Sequence, residues 1–332
     1  MLRRWTLVAA AAVGAVGCSD ALEQTSSAGQ VIGVSDVNTL SLISAGDFTT
    51  SMFPLINPGY TDVSLAGRES VLLVLRRGGL SGSSVYVIDL AQPLAAAAEF
   101  ILAAPSPGGA IQNDSIAWVA ISGGVARVNY RTHNATTVPL GGAPQAVVIT
   151  AGRVFVVNTG SGASWLSVVD PTLSSVVDSI PLSGADALAA TVGGDSLMYV
   201  VEAAPPDGKV SIVDPVDLRE LVVINGLGDG AGPAVFHPSG RLLIASAAEG
   251  ILEINTLTTR LTRGPGAGVK PGGHGVSSLT LDNGARVYAT DAAACGASGG
   301  LVHVLGQPPE YREIRTVSVT ACPSTAATAE RP

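Results

Sequence analysis

The chain has 332 residues, of which 47% are hydrophobic and 13% charged, with 40 glycines and 20 prolines. This composition predicts a large apolar core interrupted by many turns, in one large domain or two ordinary ones. The formal net charge is −8. Because an acidic surface repels phosphate backbones, nucleic acid is excluded as an expected partner.

The first 17 residues have the pattern of an export signal. Arg3 and Arg4 form a short positive region, residues 7–16 are an apolar run too short to span a bilayer, and Cys18 follows Gly17. This pattern resembles the lipobox of bacterial lipoproteins, in which cleavage before the cysteine leaves it N-terminal and diacylated. The alternative is an ordinary signal peptide with an incidental cysteine.

The resemblance implies lipidation at Cys18, a membrane anchor without a transmembrane helix, and a Ser-rich tether over residues 18–30. Removal of residues 1–17 deletes two arginines and no acids, which takes the formal net charge from −8 to −10. Ser19, rather than Asp, follows the cysteine. In Gram-negative lipoproteins this favours the outer membrane, on either its periplasmic or its outer side.

A short apolar strand that ends in Asp or Asn recurs along the chain. Its terminal residues are Asp89, Asn129, Asp170, Asp214 and Asn255, which are 40, 41, 44 and 41 residues apart. A fixed period of this length is typical of a repeat architecture.

Each repeat contains three further strands. In one repeat, residues 234–237 and 241–245 form a pair joined by a Pro-Ser-Gly turn, and in the repeat before it residues 221–224 follow the Asp-terminated strand. Tight-turn residues separate these stretches, and no helical period occurs outside the signal. Four short strands in about forty residues predict the blade of a β-propeller.

The repeat resembles that of the YVTN family of β-propeller proteins. The residues that carry the resemblance are Val-Ser-Ile-Val-Asp at 210–214, Pro-Ser-Gly-Arg-Leu-Leu-Ile at 238–244, and Asp-Asn-Gly at 282–284 followed by Val287 and Tyr288. The resemblance covers most of residues 31–319 and implies an all-β propeller. Propellers related to this repeat include lactonases and cofactor-dependent dehydrogenases, so it does not specify an activity.

The number of blades rests on the two ends of the chain. Six complete units run from about residue 60 to residue 319, and strand-like stretches at 31–36 and 40–43 indicate a seventh blade formed partly by the N-terminus. We therefore predict seven blades, with six as the alternative. Residues 320–332 are predicted to be a C-terminal tail, whose shortness counts against seven.

The Asp-Pro pairs at 170–171 and 214–215 are predicted to be structural. An Asp side chain hydrogen-bonds backbone amides two residues further on, and Pro fixes the turn while ending the ladder. Asp89 holds the equivalent position without a proline.

Function is expected on the face with the longer loops. If the strands of a blade are labelled a to d from the axis outward, the a–b and c–d turns share one face, here the short-turn face, and the b–c and d–a loops share the other, the long-loop face. The predicted long loops are residues 77–84, 158–164, 203–208, 225–232, 264–275 and 291–300. Long loops on a rigid scaffold are the usual place for binding.

The candidate binding residues on these loops are Arg77, Asp229, Lys270, His274 and Asp291. His274 is the best candidate for a general base, although spacing assigns it no partner and a solvated loop histidine is the alternative. Asp229 could bind calcium with backbone carbonyls, but one carboxylate is too little charge. We therefore predict no metal, no cofactor and no defined catalytic group.

Cys295 and Cys322 are predicted to form a disulfide, because an exported chain oxidises paired cysteines. The bond would close a loop of roughly 28 residues and stabilise the fold by about 3 to 4 kcal/mol. Two buried free thiols are the alternative.

The sequence thus predicts a lipid-anchored extracytoplasmic propeller that binds an envelope protein or surface component without catalysis. The alternative is a propeller enzyme, either a lactonase-like hydrolase or a cofactor-dependent dehydrogenase.

Overall fold

The structure is a computed structural model that describes residues 29–55, 59–79, 82–92, 97–102, 108–293 and 299–331. These residues form seven four-stranded antiparallel sheets, here called blades 1 to 7, each given below from its innermost strand outward. The all-β propeller predicted from the repeat is confirmed, with seven blades rather than six.

Blade 1 contains β28 (Thr325–Glu330), β1 (Gln30–Ser35), β2 (Thr39–Ser44) and β3 (Thr50–Pro54). Blade 2 contains β4 (Asp62–Arg68), β5 (Val71–Gly79), β6 (Gly82–Asp89) and β7 (Ala98–Leu102). Blade 3 contains β8 (Gly108–Ile111), β9 (Ile116–Ile121), β10 (Gly124–Asn129) and β11 (Asn134–Pro139). Blade 4 contains β12 (Ala143–Thr150), β13 (Arg153–Gly160), β14 (Ala163–Asp170) and β15 (Ser175–Leu182).

Blade 5 contains β16 (Ala187–Val192), β17 (Met198–Glu202), β18 (Lys209–Asp214) and β19 (Arg219–Asn225). Blade 6 contains β20 (Ala231–His237), β21 (Arg241–Ser246), β22 (Gly250–Asn255) and β23 (Arg260–Arg263). Blade 7 contains β24 (Val276–Leu281), β25 (Val287–Asp291), β26 (Gly300–Leu305) and β27 (Glu313–Val319).

Blade 1 closes the ring with strands from both ends of the chain. β28 pairs antiparallel with β1, from Gln30 opposite Glu330 to Ser35 opposite Thr325. The predicted C-terminal tail is therefore corrected: residues 325–330 are the innermost strand of the propeller, and Gln30 belongs to β1 rather than to the tether. This pairing satisfies the edge of β1, which would otherwise be open to aggregation.

The core is divided among the blade interfaces. Seven apolar clusters occur in the described residues, each built from two neighbouring blades, as where Phe155 and Leu166 of blade 4 pack with Met198 and Val200 of blade 5. The second strand of a blade is the most buried, and every residue of β17 is buried. Because the side chains on both faces of a second strand pack against neighbouring blades, Val, Ile and Leu occur in these strands with little alternation.

The repeated Asp and Asn residues stabilise turns, as predicted. Oδ1 of Asp214 accepts hydrogen bonds from the amides of Val216 at 2.8 Å and Asp217 at 3.0 Å. Oδ1 of Asp170 accepts from the hydroxyl of Thr172 and from the amides of Thr172 and Leu173. These bonds to the charged form lower the pKa of both carboxyls.

Two predicted long loops are shorter than expected. β13 continues to Gly160 and β14 begins at Ala163, so residues 158–164 form a tight hairpin. In the same way, β5 continues to Gly79 and β6 begins at Gly82, so most of residues 77–84 belong to strands. In the hairpin between β13 and β14, Gly162 has a φ of 76°, which is the positive φ that such a two-residue connection needs.

Three predictions concern residues outside the described part of the chain. Residues 1–17, Cys18 and Cys295 all lie there, so the export signal, the lipidation and the disulfide stay predictions. Across the residues that the structure does describe, none of the helices has the length and apolar character needed to cross a membrane.

Candidate functional site

A channel of about 680 Å³ follows the axis of the ring. Residues from the innermost strand of every blade line it, so its wall is built from seven parallel copies of the same structural element. Channels of this kind are a usual place for ligands in propellers, because several strands converge on one point.

The chemistry of this channel is sparse. Its described lining consists mainly of small and aliphatic residues with a few Ser and Thr hydroxyls and Gln145, and Arg68 is the single ionisable side chain in that lining. Arg68 lies at the short-turn end of β4 and its guanidinium donates to the carbonyl oxygen of Gln112. The axis therefore offers hydrogen bonds and apolar surface, and little charge.

The richest cluster of ionisable side chains lies instead on the long-loop face of blade 7. His274 Nδ1 lies 2.9 Å from Oδ2 of Asp291, and His303 Nε2 lies 3.3 Å from the same oxygen. The other oxygen of Asp291, Oδ1, accepts the amide of Ala293 at 2.8 Å. One buried carboxylate thus holds two imidazole rings.

The cluster continues from His303 to the outer strand, towards the short-turn end of blade 7, where Glu313 begins β27. His303 Nδ1 lies 3.3 Å from Oε1 of Glu313, which also accepts a hydrogen bond from the hydroxyl of Thr316. The Thr316 hydroxyl, helped by the His303 ring, holds the pKa of Glu313 below its usual range. His274, Asp291, His303 and Glu313 therefore form a continuous chain, which we call the blade-7 relay.

The relay is buried in its middle and exposed at its two ends, His274 and Glu313. The side chains of Asp291 and His303 are 1% and 4% exposed, whereas that of His274 is 47% exposed. With Nδ1 bonded to Asp291, the Nε2 atom of His274 is the ring nitrogen left for a ligand. This arrangement fixes one imidazole tautomer, as in a histidine oriented by a carboxylate.

The glycine-rich loop of residues 264–275 positions His274. Val269 bridges to Ile251 in blade 6, through hydrogen bonds of 2.8 and 3.0 Å between their backbones. Gly272 has a φ of 61°, and a β-carbon there would come within 2.9 Å of His303 Cε1. At Gly275 a β-carbon would come within 1.8 Å of the Ala247 carbonyl oxygen. The glycines let the loop pack directly on its neighbours, so the loop is anchored rather than free.

Lys270 belongs to the same loop but not to the relay. Its Nζ lies 3.9 Å from Oε2 of Glu249, which also accepts the amide of Gly266 at 2.9 Å. Both contacts join the loop to the turn between β21 and β22. Lys270 is partly exposed and carries a positive charge four residues before His274 in the sequence.

The other two candidates lie apart from this cluster. Arg77, in β5, forms an ion pair with Asp62 in the same blade. Asp229 is exposed in the loop that precedes β20. Two of the five candidates, His274 and Asp291, are therefore brought into contact. Lys270 shares the loop of His274, and Arg77 and Asp229 belong to blades 2 and 6.

Sequence reasoning missed the half of the relay that lies in the two outer strands. His303 and Glu313 lie in β26 and β27, where the strand pattern placed them without a role. The signal that could have identified them is His303 itself, a histidine in the otherwise apolar strand β26. A buried imidazole needs polar partners, so its presence indicates a polar cluster.

The relay has the groups for proton transfer. An imidazole held by a buried carboxylate and open to solvent on its other nitrogen is the arrangement of a general base. Within the described residues, no group of three or more His, Cys, Asp or Glu side chains is arranged to hold a metal ion.

Comparison with known sequences returned no relative. No family model matches the chain, and no curated protein matches it. The repeats are therefore too divergent for sequence comparison to assign a family.

Comparison with solved structures returned many propellers. A quinoprotein alcohol dehydrogenase-like protein from Bacteroides thetaiotaomicron has a TM-score of 0.69 at 12% identity, over 92% of this chain and 79% of that one. A functionally unknown protein from Desulfotomaculum acetoxidans has a TM-score of 0.68 at 12% identity, over 91% and 99%. Hydrazine synthase from Kuenenia stuttgartiensis has a TM-score of 0.63 at 14% identity, over 82% and 90%. At these identities the likeness establishes the fold alone.

Proposed function

We propose that this chain is a lipid-anchored, YVTN-type propeller of the bacterial envelope that binds a protein or surface component through its long-loop face. The observation that carries the proposal is the position of the chain ends. β1 begins at Gln30 and β28 ends at Glu330, both on the short-turn face. A tether that joins Cys18 to Gln30 would therefore leave the long-loop face directed away from the membrane.

Two contacts fix the chain ends on that face. The amide of Asn283, in the a–b turn of blade 7, donates to Oε1 of Gln30 at 2.5 Å. The amide of Glu330 donates to the carbonyl of Glu69, in the a–b turn of blade 2, at 2.5 Å. The ends of the described chain thus lie between the short turns of the two neighbouring blades.

The composition of the channel supports binding over catalysis. Reactions at the axis of a propeller need several ionisable groups that converge on one point, and Arg68 is the one ionisable residue in the described lining. The long-loop face instead presents the anchored loop 264–275 and the exposed Asp229. A rigid face with irregular loops suits recognition of a macromolecule.

The anchor is tested by metabolic labelling with palmitate. Label on the wild-type chain that disappears in Cys18→Ala supports the anchor, and an unlabelled wild-type chain contradicts it.

The binding face is tested by cross-linking in intact envelopes followed by capture. A reproducible partner should be lost on Lys270→Glu combined with Asp229→Lys. Arg312→Glu is the matched control, because Arg312 is exposed on the opposite face of blade 7. Failure to recover any reproducible partner, or equal loss with the control, would contradict the proposal.

A propeller hydrolase is the second candidate, and the contact of His274 with Asp291 favours it. In this reading His274 Nε2 removes a proton from water while Asp291 stabilises the imidazolium that forms. Lactone substrates should be screened with and without calcium. Turnover that falls about 10²-fold or more in His274→Ala, but not in His133→Ala, would establish the hydrolase over the binding protein.

A further inference from the structure

We propose that the short-turn face of blades 4, 5 and 6 rests on the surface of a lipid bilayer. The proposal begins with the tips of three consecutive c–d turns. Leu173, Val216 and Leu257 occupy these tips and are 70%, 68% and 85% exposed. Large apolar side chains at such exposure are usually covered by a partner or a membrane when they form a group.

The apolar surface extends from the tips onto the outer strands. Val176 and Val177 follow Leu173 in β15, and Leu221 and Val222 follow Val216 in β19. All four are between 39% and 50% exposed. Blades 4, 5 and 6 thus hold seven of the ten large apolar side chains that are exposed in the described residues, and we call this concentration the apolar patch.

The equivalent turns of blades 3 and 7 are polar or folded inward. In blade 3 the tip carries Arg131, Thr132 and His133, and in blade 7 Tyr311 is buried against Glu253 while Arg312 is exposed. The apolar tips are therefore not a general property of the repeat.

The tips and the chain ends share one face. Arg153, in the a–b turn of blade 4, donates to the carbonyl of Pro215 in the c–d turn of blade 5 at 3.3 Å. In blade 6 the amide of Thr256, beside Leu257, donates to the carbonyl of Gly240 in the a–b turn at 3.0 Å. The a–b turns of blades 7 and 2 in turn hold the chain ends.

That the apolar tips contact a bilayer, rather than another partner, is inferred from the place where the N-terminal segment joins the ring. Here the inference rests on the proposed anchor at Cys18. Residues 18–29 reach about 40 Å when fully extended, so the anchored ring must stay close to the bilayer. The tether joins blade 1, and blades 4 and 5 lie across the ring from it. Tether and apolar tips would therefore support the ring at two opposite points.

The polar surroundings of the tips suit the membrane interface. The carboxylates of Asp170 and Asp214 are occupied by backbone amides of their own turns. Arg219 and Arg260 begin the outer strands just beyond the tips and are exposed; Arg219 pairs at 3.4 Å with Asp217, which neutralises the acid of that turn. Apolar tips flanked by arginines can enter the headgroup region while the guanidinium groups contact lipid phosphates.

Each tip contributes little binding free energy on its own, but the anchor makes a weak contact with the membrane sufficient. A tethered surface meets the bilayer at a high effective concentration, so a weak contact becomes well populated. The test must therefore be made on anchored protein. Residues 18–332 contain every described strand and can be attached through an N-terminal hexahistidine tag to nickel-chelating phosphatidylcholine vesicles, which supplies an anchor independent of acylation.

Hydrogen exchange is then compared between tethered and free protein. We expect exchange at residues 170–174, 214–218 and 255–259 to slow about threefold or more on vesicles, and residues 129–133 to be unchanged. The triple variant Leu173→Ser, Val216→Ser and Leu257→Ser should lose this protection. The double variant Met52→Ser and Ile101→Ser, exposed apolar residues of blades 1 and 2, should keep it.

Equal exchange on vesicles and in solution would overturn the inference. So would protection that rises with protein concentration in the absence of vesicles, because that result assigns the patch to a second copy of the chain. Mass analysis of Cys18 from cells reports separately on the proposed anchor. A chain that lacks acyl groups and yet shows the protection would reject the anchor and retain the surface.

Discussion

The two faces of the ring are built by different means. On the short-turn face, the same device recurs, in which an Asp or Asn at the end of the third strand accepts the next backbone amides, as at Asp170 and Asp214. On the long-loop face, blade 7 carries a unique arrangement of a glycine-rich loop and the blade-7 relay. The difference teaches that the repeated side chains stabilise the turns of individual blades, whereas the blade-7 relay comes from side chains that do not follow the repeat.

The largest expected effect comes from the short-turn face where the ring closes. Asp282 is buried, accepts Arg286 Nε at 2.6 Å, and also accepts the hydroxyl of Tyr288 at 3.2 Å. Arg286 in turn donates to the carbonyl of Ala45 in blade 1 at 2.5 Å. Asp282→Ala leaves a buried guanidinium unpaired and should lower the free energy of unfolding by about 3 to 5 kcal/mol.

Denaturant unfolding followed by fluorescence measures this loss. Asp229→Ala, which removes an exposed acid from the long-loop face, is the control and should leave the midpoint unchanged. Comparable losses in the two variants would break the distinction between the faces.

The second prediction concerns a buried acid on the long-loop face. Glu202 ends β17, and burial raises its pKa. Ser211 Oγ lies 2.5 Å from Glu202 Oε1 and 2.6 Å from Glu220 Oε1, and one hydroxyl proton cannot serve both acceptors. The neutral form of Glu202 supplies the missing proton.

A raised pKa in the folded state gives stability that is complete below the unfolded pKa and is lost as the pH rises through the folded value. Glu202→Gln keeps a neutral donor at all pH values. We expect the variant to lose this fall in stability, so that its Tm exceeds that of the wild type at neutral pH and approaches it in acid. Melting curves between roughly pH 4 and 8 test this, and parallel curves would refute it.

A smaller effect is expected for a single repeated turn. Asp214→Ala removes the acceptor for the amides of Val216 and Asp217 and should lower Tm by less than Asp282→Ala does. The lowered pKa of Asp214 means that its contribution is present above the unfolded pKa and is lost as the pH falls through the folded value. Asp214→Asn keeps a side-chain oxygen that accepts these amides, so the variant should keep the Tm of the wild type at neutral pH and should not lose stability in acid at this position. Thermal melts at neutral and acidic pH distinguish the two variants.

The smallest effect on stability is expected at His274. Its side chain is half exposed, its loop is held by backbone contacts, and Asp291 keeps the amide of Ala293 and the ring of His303, so His274→Ala should lower the free energy of unfolding by no more than about 1 kcal/mol. A loss of several times that amount, measured by denaturant unfolding, would show that the relay is part of the scaffold and would remove it as a functional candidate.

The sequence predicted the fold well because a propeller repeats its local pattern. All five Asp- or Asn-terminated strands and the turns that follow them lie where the period places them. The innermost strand of blade 1 was missed because residues 325–330 read Thr-Ala-Ala-Thr-Ala-Glu, which carries little apolar signal. Small side chains are sufficient there, since both faces of β28 contact other inner strands or the channel.

The site was predicted only in part. His274 and Asp291 were identified as loop residues, but the 2.9 Å contact between them joins positions in a d–a loop and at the end of β25. Local pattern cannot give that distance, because it depends on how the glycine-rich loop packs against blade 6. His303 was overlooked for a related reason: its partners come from other strands.

By itself, the sequence determined the class of fold, the length of the repeat and the chemistry of the turns, because each of these depends on residues close together in the chain. Only the tertiary structure decided how the ring closes, which side chains form the blade-7 relay, and that the apolar tips of blades 4 to 6 share a face with the chain ends. Those features depend on strands far apart in sequence that the closed ring brings together, through the packing of each blade on the next.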